Sequence, residues 1–179
     1  MTPQSVVLFA TYNRWMNERL YDACAQLDQG ALVADRGAFF GSILATLNHI
    51  AVADTIWLHR IATHGAQFST LQDLKSLPRP ASLRDTLATD IGSLRTYRSR
   101  LDELICKWSA ELAPEHLTSS LRYKNMAGVE NSKALGDLLL HFFNHQTHHR
   151  GQVTTLLFQS GVDVGVTDLI TLVPHSDAS

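Results

Sequence analysis

Residues 141–152 read HFFNHQTHHRGQ, directly after Leu138, Leu139 and Leu140. Four histidines fall between His141 and His149, in a segment whose spacing is that of a core helix. Leu138, Phe142, His145, His149, Val153 and Leu156 recur at steps of three and four, which makes one continuous helical face. His145 and His149 therefore stand where core residues belong. Side chains four apart on a helix are neighbours, about 6 Å apart at Cβ. An unpaired polar group in a core costs about 1–3 kcal/mol. Two adjacent buried imidazoles resist being charged together, because like charges repel and burial opposes both. A shared metal ion removes both difficulties by taking two neutral imidazole nitrogens at one point. Spacing alone is weak evidence, since nine histidines in 179 residues give about 0.4 chance HxxxH pairs. The place of the pair on the apolar stripe is the stronger argument. Satisfied core histidines remain the competing explanation.

Working outward, three more long segments carry helical periodicity. Pro3 to Leu27 repeats Leu8, Tyr12, Trp15, Arg19 and Leu20 at helical steps, with Gly30 as a stop. Phe39 to Thr63 is apolar nearly all round, through Ile43, Leu47, Ile50, Val52 and Ile56, as expected of a helix buried on most sides. After the break LPRP at 77–80, Ser82 offers an N-cap for a helix over Leu83 to Ser109, closed by Pro114. Residues 117–132 hold turn formers around Gly128 and read as an extended excursion or loose hairpin. Ser132 is the expected cap of the last helix, 133–160, which ends at Gly161; the tail from Val162 is expected to be irregular. This pattern predicts an all-α four-helix bundle, a single domain over 1–179, with a long irregular or hairpin crossover before the last helix.

Composition narrows the function classes. The chain is 45% hydrophobic and 18% charged with net charge −2, so it lacks the basic excess of a nucleic-acid binder. ILATLNHIAVADTIWL carries Asn48, His49 and Asp54, which suits a buried helix rather than a membrane span. The N-terminus lacks a cationic segment ahead of an apolar run, and Cys24 and Cys106 match no metal spacing; both point to a cytoplasmic protein with reduced thiols. HExxH and ExxH are both missing, which leaves thermolysin-type and carboxylate di-iron sites without ligands.

The candidate for a third ligand lies in the most buried helix, although a lone histidine in a helix is more often structural. His49 lies mid-helix, with Ser42, Ala45, Thr46 and Ala53 leaving room beside its ring. His141 and His148 share a flanking face and read as surface or interface residues; His59, His64, His116 and His175 read as surface. Gly151 suggests a close neighbouring helix. Asp54 either orients an imidazole or pairs with Arg60 or Arg14. No general base stands out.

Several blocks together carry a family resemblance: YNRWMNERL at 12–20, NHIAVADTIWLHR at 48–60, YKNMAG at 123–128, HFFNHQTHHRGQ at 141–152 and GVDVGVTDL at 161–169. In this order they resemble the DinB/YfiT-like metalloenzymes, the damage-inducible DinB group. The resemblance implies a divalent metal ion (zinc, nickel or iron) held by His49, His145 and His149, a stress-response setting and a homodimer. Relatives with assigned chemistry are thiol-dependent transferases or isomerases that use low-molecular-weight thiols, and a metal so held would activate a thiol or water against a small-molecule substrate, in transferase- or hydrolase-type chemistry. Three neutral ligands would leave an open position on the ion, as catalytic sites do. The alternative is a non-enzymatic metal- or ligand-binding bundle. Neither nucleic acid nor membrane is an expected partner.

Overall fold

The computed structural model describes residues 1–175 and is mostly helical, with one small two-stranded sheet. Four long helices carry the fold: α1 (Pro3–Cys24), α3 (Ile43–Ile61), α4 (Ile91–Ser109) and α6 (Leu135–Gln159). Two short ones, α2 (Gln29–Val33) and α5 (Pro114–Thr118), sit in the connections. Helix α1 packs on α4 and α6, and α3 packs on the same two. Their shared interior holds Val6 and Leu20 of α1, Val52 and Leu58 of α3, Leu94, Ile105 and Trp108 of α4, and Leu139, Phe142 and Val153 of α6.

Polar caps fix where the helices begin. The Thr2 hydroxyl accepts from the Ser5 amide, and Ser42, at the start of α3, accepts from the Ala45 amide. Just past the end of α6, Gly161 with a φ of 80° lets the Val162 amide reach the Leu157 carbonyl at 3.0 Å. The excursion before α6 is an antiparallel hairpin of β1 (Ser120–Lys124) and β2 (Glu130–Ala134), turning through Gly128 at φ 81°.

Several boundaries differ from the sequence expectation, each for a visible reason. Helix α4 begins at Ile91, capped by Asp90, and not at Leu83. The buried Asn48 side chain accepts from the Leu87 and Ala88 amides and donates to the Ala88 carbonyl. It pairs with the chain as a strand would, and that conflicts with helix formation before Asp90. Ser132 caps nothing, because it lies in β2 opposite Arg122. Hairpin pairing uses the backbone that an earlier helix start would need. Residues 162–168 are irregular yet docked: the Tyr12 hydroxyl donates to the Thr167 carbonyl at 2.7 Å, and Arg19 donates to the Val164 carbonyl at 2.8 Å. Among the described residues no helix is long and apolar enough to cross a membrane.

Candidate metal centre

Helices α3 and α6 bring His49, His145 and His149 together from positions about a hundred residues apart. One ring nitrogen from each lies within 4.8 Å of the others. His49 Nε2 and His145 Nε2 are 3.1 Å apart. Two ligands at 2.0–2.1 Å on a tetrahedral ion would stand about 3.3 Å from one another. The pair is already near that spacing.

Two of the rings are held in a defined tautomer. His49 Nδ1 lies 3.0 Å from the Leu83 carbonyl oxygen, which can only accept, so Nδ1 carries the proton and Nε2 presents its lone pair. His149 Nδ1 donates to Gln152 Oε1 at 2.8 Å, one turn along α6, and its Nε2 is freed in the same way. A single proton could join His49 Nε2 to His145 Nε2, but it would leave the His149 lone pair without a donor. A cation satisfies all three, so the donor set fits a divalent ion such as zinc, nickel or iron. Burial pulls each of these imidazoles below the usual histidine range, that of His145 down to about 3. The neutral, ligating form is thereby favoured.

The walls come from loops. Phe40 stacks on His49 at 3.9 Å between centroids and meets His149 edge-on at 5.5 Å. The guanidinium of Arg84 lies 5.6 Å from the Phe40 ring. Phe40 belongs to a tight loop between Gly37 and Gly41, with φ of 67° and 81°. Neither Phe40, Leu83 nor Arg84 carries a periodic or motif signal, and sequence reasoning missed all three. Gln152 lies inside the histidine-rich stretch, three places from His149.

Directly behind the histidines lies a buried polar network, also missed. Asp54 takes Arg98 at 2.5 Å and Gln146 at 2.8 Å on one oxygen. Arg98 also meets Asp102 at 3.0 Å, and Asp102 accepts from Asn13 and Asn17. Arg150 donates to Asn13. Burial works against the charge on Arg98, but Asp102 and Asp54 outweigh it and hold its proton above the usual arginine range. Gln146 and Arg150 each follow a histidine by one position, so the network fixes the rotation of α6 and with it the aim of His145 and His149.

Asp54 therefore pairs with neither Arg60 nor Arg14, and touches no imidazole. His141 and His148 are exposed, as expected. His64 is buried, contrary to expectation: it stacks on Phe68, and its Nε2 reaches Ser119 Oγ at 2.8 Å. Gly151 faces open space, and among the described residues no helix of this chain packs close to it. Trp15 lies under the Arg19 guanidinium, a packing role.

The chain is 26% identical over 157 residues to Protein DinB of Bacillus subtilis (strain 168), covering 88% of this chain and 87% of that one. No solved structure gives a significant match. The DinB family model matches residues 1–175, and the chain accordingly belongs to the DinB family.

Proposed function

We propose that His49, His145 and His149 bind one divalent metal ion and that the protein is a metal-dependent enzyme of transferase or hydrolase type. The observation that carries this reading is the convergence of three imidazole nitrogens, two of them in a tautomer fixed by Leu83 and Gln152. Bound there, the ion would supply positive charge that stabilises a thiolate or hydroxide at neutral pH. The chain's own residues do the rest. Phe40 closes one side of the site to water, and the Leu83 carbonyl and Gln152 keep the imidazole rings oriented. His145 is only partly buried, which leaves a side from which a small molecule can approach.

In the same reading the four long helices form a four-helix bundle, a single domain over 1–179, and work in the cytoplasm as a homodimer in a stress response. The resemblance to DinB/YfiT-like proteins supports this, and it favours a low-molecular-weight thiol as co-substrate.

Elemental analysis of untagged protein tests the reading. About one metal per chain in the wild type is expected, and its loss in both His49→Ala and His145→Ala. Absence of stoichiometric metal after reconstitution with zinc, nickel and iron would sink it. Metal loss with an intact fold favours catalysis, whereas melting on metal loss favours a non-enzymatic, structural ion.

A further inference from the structure

Two turns along α3 from His49, on the same helix face, Ile56 lines a cavity. Seven residues of helix place Ile56 about 10 Å from His49. The cavity holds about 540 Å³ and is walled by the last turns of α3, by Arg79 and Pro80, and by β1 with its hairpin turn.

This cavity is joined to the histidines in two ways. A row of rings runs between them: His145 to His141 at 5.9 Å, His141 to Trp57 at 5.5 Å, and Trp57 to Tyr123 at 5.2 Å. One loop also rims both places. The Pro78 carbonyl accepts from His59 at 3.2 Å beside the cavity, and the Leu83 carbonyl accepts from His49 in the centre.

The lining is cationic. Arg60, Arg79, Arg122 and Lys124 all face the cavity, in a chain of net charge −2. The exposed Glu130 stands 3.8 Å from Lys124. Among the described residues no carboxylate comes within ion-pair distance of the three arginines. A merely solvated patch would hold free, mobile side chains. Arg60 is instead half-buried, with its guanidinium 4.8 Å from the Trp57 ring centre and 5.2 Å from that of Tyr123. Two aromatic faces fix a charged fork that has no partner of opposite charge. Guanidinium forks recognise carboxylate and phosphate oxygens in pairs.

We propose that this cavity is the anion subsite of the three-histidine centre, taking the carboxylate or phosphate end of a small elongated molecule whose reacting end lies among the histidines, about 10 Å from the cavity's near wall at Ile56 and about 16 Å along the helix from Arg60. The inference rests on the metal-centre reading above and deepens it by naming an anionic substrate or co-substrate.

Titration calorimetry on the full chain at low salt tests it, with glutarate, inorganic phosphate and the neutral glutaramide as probes. Glutarate or phosphate should bind and glutaramide should not; whichever anion binds more tightly identifies the headgroup. Arg122→Gln and Arg60→Gln should each weaken that anion about tenfold or more. Arg95→Gln, an exposed arginine paired with Asp22 elsewhere, should leave it unchanged. Arg122 is exposed, so its variant keeps the test valid even if Arg60→Gln fails to fold.

The subsite is overturned if neither anion binds, or if the arginine variants bind like wild type. It is also overturned if His149→Ala abolishes anion binding while the arginine variants keep it, since the anion would then sit on the metal. Metal content measured in parallel separates the two readings. Stoichiometric metal without anion binding refutes the subsite alone, and arginine-dependent anion binding without metal upholds the subsite while refuting the metalloenzyme.

Discussion

Replacing Asp54 by Asn isolates what the buried network contributes. The carboxylate and its Arg98 partner are 1% and 3% exposed, and they meet at 2.5 Å. Removing one partner of a buried ion pair costs about 3–5 kcal/mol, because the other charge is left uncompensated. Here Asp102 still meets Arg98 at 3.0 Å, so the lower end, about 3 kcal/mol, applies. For a chain of this length that corresponds to a fall in Tm of about 6–12 °C. Gln146 would then donate to a neutral amide oxygen instead of the carboxylate oxygen it reaches at 2.8 Å, which weakens its hold on α6 next to His145. Urea and thermal unfolding followed by circular dichroism measure the loss, and metal content is read on the same samples. A loss under about 1 kcal/mol would refute the claim that the network is a main tie between α3, α4 and α6. Lost metal with unchanged stability would show that Asp54 acts on the centre rather than on the fold.

Other outcomes follow from single contacts. Gly151→Ala should stabilise the protein by about 1 kcal/mol, because the added methyl meets open space in a helix interior; unfolding midpoints decide this, and a destabilised variant would mean the site is occupied. Gln152→Leu should weaken metal binding about 10–100-fold with little effect on Tm, since it frees the His149 ring; competition with a chromogenic chelator measures it, and an unchanged affinity would remove Gln152 from the centre. Metal-free protein should lose stability as pH falls. The folded His145 titrates at about 3, whereas an unfolded histidine takes a proton near 6.5, so between these values the unfolded chain binds more protons. At pH 5 His145 contributes at most about 2 kcal/mol of this loss. Urea midpoints that fall from pH 7.5 to 5, and fall less steeply in His145→Ala, are expected; a flat profile refutes the burial of neutral imidazole.

The parts of the molecule legible in the sequence are those written in periodicity. The stripe Leu138–Phe142–His145–His149–Val153 named two of the clustered histidines, since i,i+4 neighbours on a helix must share a face. His49 was legible because it interrupts the most apolar helix. Boundaries set by tertiary partners were not legible. The start of α4 depends on Asn48 reaching across to Leu87 and Ala88, and no local signal at 82–90 records a side chain forty residues away. Neither role open to Asp54 in the sequence, orienting an imidazole or pairing with Arg60 or Arg14, names its true partners for the same reason: Arg98 and Gln146 lie 44 and 92 residues off, on other helices. His64 looked exposed because it follows the end of a helix, yet the loop to Phe68 folds over it. Gly151 looked like a close packing point, and its open surroundings give its presence no steric reason.

The Leu83 carbonyl has a consequence for how this scaffold can diversify. The histidines stand on rigid helices, whereas Phe40, Leu83 and Arg84 stand on two loops, so the pocket walls can be rewritten while the imidazoles stay in place. The hydrogen bond that fixes the His49 ring comes from the main chain of one of those loops. Every amino acid has that carbonyl, so substitution at position 83 keeps the acceptor whatever the new side chain. Insertion or deletion between 78 and 83 would displace it and release the His49 tautomer. The loop is therefore free in its lettering and constrained in its length, so the surface around the three histidines can change one residue at a time while the His49 ring keeps its aim.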